Sequence, residues 1–301
     1  MVIVDRHKIS LGDVEERIVD LHEDIDSFRP RLSKNPRALV EIFRPASWLA
    51  AYSSIGDPRG ALLPIWDATW MAMQASSAMF RNANNPGREI EFTIGFDDHY
   101  TVVSTGPNSA ANAGKWLAAM YFAAICRRHD RMTELCQTSI ETLRASGAVY
   151  DEYIYTWVAA FQKFWRNDED GVVQSLIDAM NAAEPEDLVH ASEELLLLLL
   201  YPPIELLCIA AQGDAVWFNE RLAVALERHK QYWSKTAERR NDVEGFIAWG
   251  PLAMACLALD MGLSITVESD YMPVHLLLSE RAAEANMIRD DQRRAQQRGR
   301  Q

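Results

Sequence analysis

The chain has 301 residues, 49% of them hydrophobic and 24% charged, with a formal net charge of −13. That balance is ordinary for a globular protein and argues against long disordered stretches, and the length supports one large helical domain or two continuous subdomains. A body this acidic repels nucleic acid and anionic lipid, so neither is an expected partner; it suits solubility or the capture of a basic protein.

Met1 to Ser10 lacks the apolar core of a secretory signal. Ser10-Leu11-Gly12-Asp13 then has the spacing of a capping box, and Leu11, Val14, Ile18, Leu21, Ile25 and Phe28 recur at steps of three and four. This predicts an amphipathic helix stopped by Pro30. Two more helical stretches occupy Pro36 to Ala83, broken at Gly56-Asp57-Pro58-Arg59-Gly60, and Asn84-Asn85-Pro86-Gly87 reads as a loop. Glu89 to Ile94 and His99 to Val103 alternate with period two around a Phe96-Asp97-Asp98 turn, the pattern of a β-hairpin that needs helices to pack on.

From Ala110 onward the period is helical again. Met132, Leu135, Cys136, Ser139, Ile140 and Leu143 form one apolar face, and Tyr150, Tyr153, Ile154, Trp157, Val158, Phe161, Phe164 and Trp165 a second. Val172, Val173, Leu176, Ile177 and Met180 form a third, and Phe218, Leu222, Ala225, Leu226, His229 and Trp233 a fourth. Breaks at His129-Asp130, Asn167-Asp168-Glu169-Asp170 and Gly213-Asp214 fall about forty residues apart, the spacing of stacked helical hairpins. The aliphatic run Leu195 to Leu200 ends at Tyr201-Pro202-Pro203; a bilayer span takes roughly 20 residues, so the run predicts a core helix. Gly250-Pro251 opens another helix, with Leu252, Ala255, Cys256 and Leu259 inward and Gly262 closing it. Ile265-Thr266-Val267 is extended, and Pro273 starts a last helix through Val274, Leu276 and Leu277.

These elements predict an all-α protein of stacked helical hairpins, an α-solenoid or repeat-like bundle, with one small β-hairpin insertion near residues 89–103. Residues 1–288 read as a single helical domain, divisible into continuous subdomains 1–105, with the hairpin, and 106–288. Residues 289–301 read as a basic, disordered tail of five Arg against two Asp. Cys126, Cys136, Cys208 and Cys256 sit in apolar segments without a C-x-x-C pair, the pattern of reduced, buried thiols and a cytoplasmic setting.

Motifs for phosphate binding, dinucleotide binding, zinc proteolysis and serine hydrolysis are all absent from the sequence. Asp97-Asp98-His99 has the composition of a metal site but the spacing of a turn, and His22-Glu23-Asp24 point in different directions on a helix. His229 lies on an apolar stripe and reads as a core histidine. No catalytic residue, metal ligand or cofactor is expected. Glu184, Glu186 and Asp187, with Glu193 and its neighbour Glu194, lie in loop or helix-start contexts where negative charge is favourable; collectively they offer an acidic docking surface.

Trp249-Gly250-Pro251-Leu252-Ala253-Met254-Ala255-Cys256-Leu257-Ala258, followed by Val267-Glu268-Ser269-Asp270-Tyr271-Met272-Pro273 and Leu276-Leu277, resembles the C-terminal signature of the immunity protein 49 family. Ala61-Leu62-Leu63-Pro64-Ile65-Trp66-Asp67 resembles a second feature of that family. The resemblance implies a bacterial, mostly helical protein of a polymorphic toxin system that neutralises a cognate toxin by stoichiometric occlusion, and it carries no catalytic residues. Glu268, Asp270 and Tyr271, an acidic pair beside a Tyr, suit an interface. A helical-repeat adaptor or scaffold would share these physical features. An unrecognised helical enzyme would differ by a deep pocket with convergent polar groups. Oligomeric state is not legible.

Overall fold

The computed structural model describes residues 2–167 and 171–280. The tail expected at 289–301 and most of the Asn167–Asp170 break lie outside the described residues. Strand β1 (Val2–Ile3) leads to α1 (Val14–Phe28). The cap of α1 is Asp13, which accepts from the Glu16 N–H, and not Ser10, whose own N–H goes to Asn241 Oδ1 at 2.9 Å. Leu21 and Ile25 are the buried residues of its stripe. Helices α2 (Val40–Gly56) and α3 (Leu63–Asn84) form a hairpin closed by Asp57, whose carboxylate accepts from the Leu62 N–H at 2.7 Å. Gly60 takes a positive φ of 68° in that turn, as only glycine does without strain.

Strands β2 (Glu89–Ile94) and β3 (Asp98–Val103) pair antiparallel with Glu89 opposite Val103 and Ile94 opposite Asp98, so the turn is Gly95–Asp97, one residue earlier than the pattern suggests. Ile90, Phe92, Ile94 and Val102 face inward, and Gln74 of α3 grips the Gly95 N–H and C=O at 2.8 and 3.0 Å. Asp98 pairs with Arg29, and His99 Nδ1 lies 2.9 Å from Thr93 Oγ1. Those contacts engage Asp98 and His99 within the hairpin and against the end of α1.

Beyond the hairpin come α4 (Ala113–Ile125), α5 (His129–Leu135) and α6 (Ile140–Arg144). The single face read across Met132 to Leu143 is therefore two short helices; Ser139 caps the second by accepting from the Thr142 N–H. Helix α7 (Glu152–Trp165) follows its predicted stripe, whereas α8 (Val172–Asn181) buries Leu176 and Ala179 and leaves Ile177 of its stripe exposed. After α9 (Glu193–Leu195) the chain widens into a π-turn over Leu196–Leu200 before α10 (Tyr201–Gln212). Pro202 and Pro203 carry no N–H, so the Leu198 and Leu199 carbonyls lose their α-helical donors. Leu196 is fully buried, but the rest of the leucine run is only half-buried, which corrects the expectation of a core helix.

Gly213 in the left-handed region ends α10, and Asp214 caps α11 (Ala215–Ser234) by accepting from the Trp217 N–H. Short α12 (Ala237–Arg240) precedes α13 (Trp249–Asp260). Strand β4 (Val267–Glu268) pairs in parallel with β1, a two-residue ladder outside the predicted pattern, and α14 (Val274–Leu278) ends the described chain. Every residue from Pro251 to Ala258 is buried, so α13 has no solvent face, in contrast to the four inward positions expected. It packs on α4, α10, α11 and α14, which turns a row of hairpins into a closed bundle. Arg127 fastens the same end, bonding Asp260 Oδ2 at 3.0 Å and the Leu277 carbonyl. All four cysteines are buried thiols. Glu193–Gln212 and Val243–Asp260 reach the length and hydropathy of a bilayer span, but 72% of the second and 50% of the first are buried in the fold.

One buried polar network ties the two ends of the chain. Tyr271 Oη donates to His7 Nδ1 at 2.6 Å and accepts from the His7 backbone N–H at 3.0 Å, while His7 Nε2 donates to the Arg240 carbonyl. His229 Nε2 donates to the Gly245 carbonyl at 3.0 Å, and its ring meets Tyr271 edge-on at 4.7 Å. Burial pushes the His229 imidazole down to about 4 and lowers His7 as well. The folded state therefore binds fewer protons than the unfolded chain between the ordinary histidine value and about 4, so stability falls as pH drops through that window. For His229 alone the loss between pH 7 and 5 is about 2 kcal/mol. Urea unfolding at the two pH values checks this: His229→Gln, which keeps an N–H for Gly245, is expected to lose correspondingly less on acidification.

Candidate binding groove

Helix α4 buries Trp116, Ala119, Met120 and Ala123, and leaves Gly114, Ala118 and Tyr121, spaced by four and three residues, half-buried on its other side. That stripe is the floor of a groove. Tyr153, Ile154 and Trp157 of α7 form one wall, and Leu195, Leu199, Leu200 and Pro203 of the leucine run another. Trp249, Gly250 and Pro251 at the start of α13 close one side, and Phe43, Arg44 and Ser47 of α2 the other. Depressions of about 430, 300 and 170 Å³ meet at Tyr121, which lines all three.

Three glycines let the aromatic rings sit this close. A Cβ on Gly114 would lie 2.8 Å from Tyr150 Oη, one on Gly250 would lie 2.7 Å from Pro203 Cγ, and one on Gly245 would lie 2.5 Å from the Trp233 ring. Asp151 fixes the rim: its carboxylate accepts from the N–H groups of Val189, His190 and Ala191 at 2.7, 3.0 and 2.8 Å. Burial works to raise the Asp151 carboxyl, but these three bonds outweigh it and hold it below the usual carboxylate value. The rim so held exposes two aliphatic side chains, Val149 at 69% and Val189 at 79%.

The polar atoms of the lining are mostly donors. Tyr153 Oη, Trp157 Nε1 and Trp233 Nε1 are shut off from water and have no hydrogen-bond partner. Each such group costs about 1–3 kcal/mol of unmet hydrogen bonding. The Trp157 indole lies beside the Tyr121 phenol and works to lower it, but burial outweighs this and pushes the phenol up to about 12. At the α2 end, Lys115 Nζ sits 4.9 Å from the Phe43 ring centroid and the Arg44 guanidinium 5.9 Å from that of Trp48. Burial lowers Lys115, Glu244 opposes the shift, and Arg44 adds to it. Among the described residues neither cation forms an ion pair.

The acidic residues singled out from sequence fall into separate places. Glu184, Glu186 and Asp187 are exposed on a 3-10 turn, Pro185–Asp187, and exposed Glu193 starts α9, on the segment that supplies His190, Ala191 and Leu195 to the groove wall. Exposed Glu268 and Asp270 line a different, smaller depression of about 110 Å³ with Asp5 and Arg59. Tyr271 corrects the expectation of a surface contact: it is 0% exposed and spends its hydroxyl on His7, so it is a core strut. The groove residues themselves were missed, although Gly114 and Ala118 at helical spacing beside Tyr121, and a leucine run ending in Tyr-Pro-Pro, are their traces in the sequence. Among the described residues no group of three or more His, Cys, Asp or Glu converges as a metal site would.

The family model for immunity protein 49 matches residues 57–276. The chain belongs to that family. No curated protein and no solved structure matches it. The matched span contains the groove floor, α7, the leucine run and the start of α13, whereas the Phe43, Arg44 and Ser47 wall lies before it. Within the family signature, Trp249-Gly250-Pro251 is thus the part that reaches the groove, and Tyr271 the part that holds the core.

Gly250→Ala is expected to lower stability by about 1–3 kcal/mol, because Pro203 must give way. Gly12→Ala, which meets nothing within 4 Å, should stay near neutral in the same thermal unfolding assay.

Proposed function

We propose that this chain neutralises a cognate bacterial toxin by stoichiometric occlusion in the cytoplasm, without catalysis, and that the groove is the face it presents. The observation that carries the reading is the position of Trp249-Gly250-Pro251: a segment within the family signature lines a surface groove instead of serving packing alone. Aromatic side chains around an apolar hollow, ringed by exposed aliphatics, have the composition of a protein interface core. Of the two carboxylates in the lining, Asp151 is spent on backbone N–H groups and Glu244 accepts from the Trp48 indole, which argues for binding over acid–base work. A helical adaptor for another partner would use the same groove, and growth rescue separates the two.

Co-expression with the toxin encoded beside the gene should restore growth. Val149→Glu with Val189→Glu should abolish rescue and weaken binding at least about tenfold at unchanged Tm, since both side chains are exposed and support no core. Failure of the wild-type chain to rescue, with both proteins soluble, would remove the toxin assignment.

The acidic turn has a different role in this reading. Glu184, Glu186, Asp187 and Glu193 flank the groove wall and attract a basic toxin surface at long range. Replacing the first three by Lys should slow association about tenfold at low salt and leave dissociation nearly unchanged, as measured by stopped-flow mixing.

A further inference from the structure

Resting on that reading, we infer that the groove takes an extended, acidic and apolar segment of the toxin, with a carboxylate held between Lys115 and Arg44 and backbone carbonyls answering the donors beneath Tyr121. The indole N–H of Trp157 and of Trp233 can only donate, and the buried Tyr153 hydroxyl stands unpaired beside them. Their complement is an acceptor. An extended chain offers an unused carbonyl at every residue, whereas a helix spends its carbonyls internally. Extended backbone is therefore the form that fits.

The charge of the occupant follows from the other end. Lys115 is desolvated and forms no salt bridge among the described residues; Glu244 offsets part of its charge, and Arg44 adds like charge to it, so one carboxylate faces two cations. Glu244 lines the same depression, but its Oε1 already accepts from Trp48 Nε1 at 2.7 Å. A basic segment would add to the two cations and leave the donors unmet; an acidic one would balance the excess positive charge and satisfy the donors. The remaining lining is apolar, so the flanking side chains of the occupant must be as well. Tyr121, common to the three depressions, joins the cationic end to the two that Tyr153 and Trp157 line.

The test uses the full chain as bait and a phage-displayed random 12-residue peptide library as probe. Recovered sequences should carry Asp or Glu flanked by Leu, Phe or Pro, enriched about fivefold or more over input. The best of them, synthesised, should bind about tenfold more weakly to Arg44→Gln and Lys115→Gln. Arg44 is exposed, so its variant keeps the fold. Tyr153→Phe, which removes an unpartnered hydroxyl, should weaken the peptide about threefold or more while Tm holds or rises; a purely structural tyrosine would show the reverse. Recovery of basic or charge-indifferent sequences, absence of enrichment, or affinity unmoved by Arg44→Gln and Lys115→Gln would overturn the inference. Growth rescue is read independently: rescue with a failed selection leaves the toxin reading standing, and acidic selection without rescue leaves the groove chemistry standing and removes the toxin.

Discussion

Burial of α13 on every side is the constraint around which the bundle is arranged. Pro251 through Ala258 are all buried, and half of those positions are Ala or Cys, so neighbouring helices approach closely. An amphipathic helix can lie on a surface, but one that is apolar all round must be surrounded. Helices α4 and α10 supply two of its sides, although they are distant from it in sequence. An open solenoid lets each repeat touch only its neighbours; the C-terminal helix here bridges early and late hairpins and closes the array.

The groove is a consequence of that closure. Seating α13 against α4 and α10 brings its first turn, Trp249-Gly250-Pro251, beside Pro203 and Tyr121, where only glycine leaves room. The leucine run cannot then bury all its side chains, because the two prolines after it force the π-turn and hold α10 in place against α13. What remains is an apolar hollow with unpaired donors in its lining, a local violation of the rule that buried polar groups find partners. Such violations concentrate where a partner completes the structure.

The helices with a clean stripe were legible in the sequence: α7 and α11 bury most of the residues that their spacing marks, and α1 buries the middle of its stripe, Leu21 and Ile25. So was the hairpin, because period-two alternation has few other causes. Periodicity failed where burial is not one-sided. Helix α13 has no polar face to set a phase, the run from Met132 to Leu143 carries one stripe across two helices, and the β1–β4 ladder joins residues 2 and 267 through backbone bonds that leave no pattern. The groove was illegible for the same reason. Its residues come from six stretches of chain and most are apolar, so each of those reads alone as core, and only the closed bundle leaves one side of each uncovered.

The acidic net charge and the donor-lined groove act over different distances. Charges on the body are felt to about one Debye length, roughly 8 Å at physiological salt, and bias the approach of a basic surface. Inside the groove half-buried Lys115 is desolvated, so a contact at a few ångströms is magnified there, while exposed Arg44 adds a more screened charge. Net charge therefore sets which proteins arrive, and local charge sets which segment enters. A partner that satisfies both carries a basic surface around a short acidic, apolar stretch, a narrower requirement than either condition imposes alone.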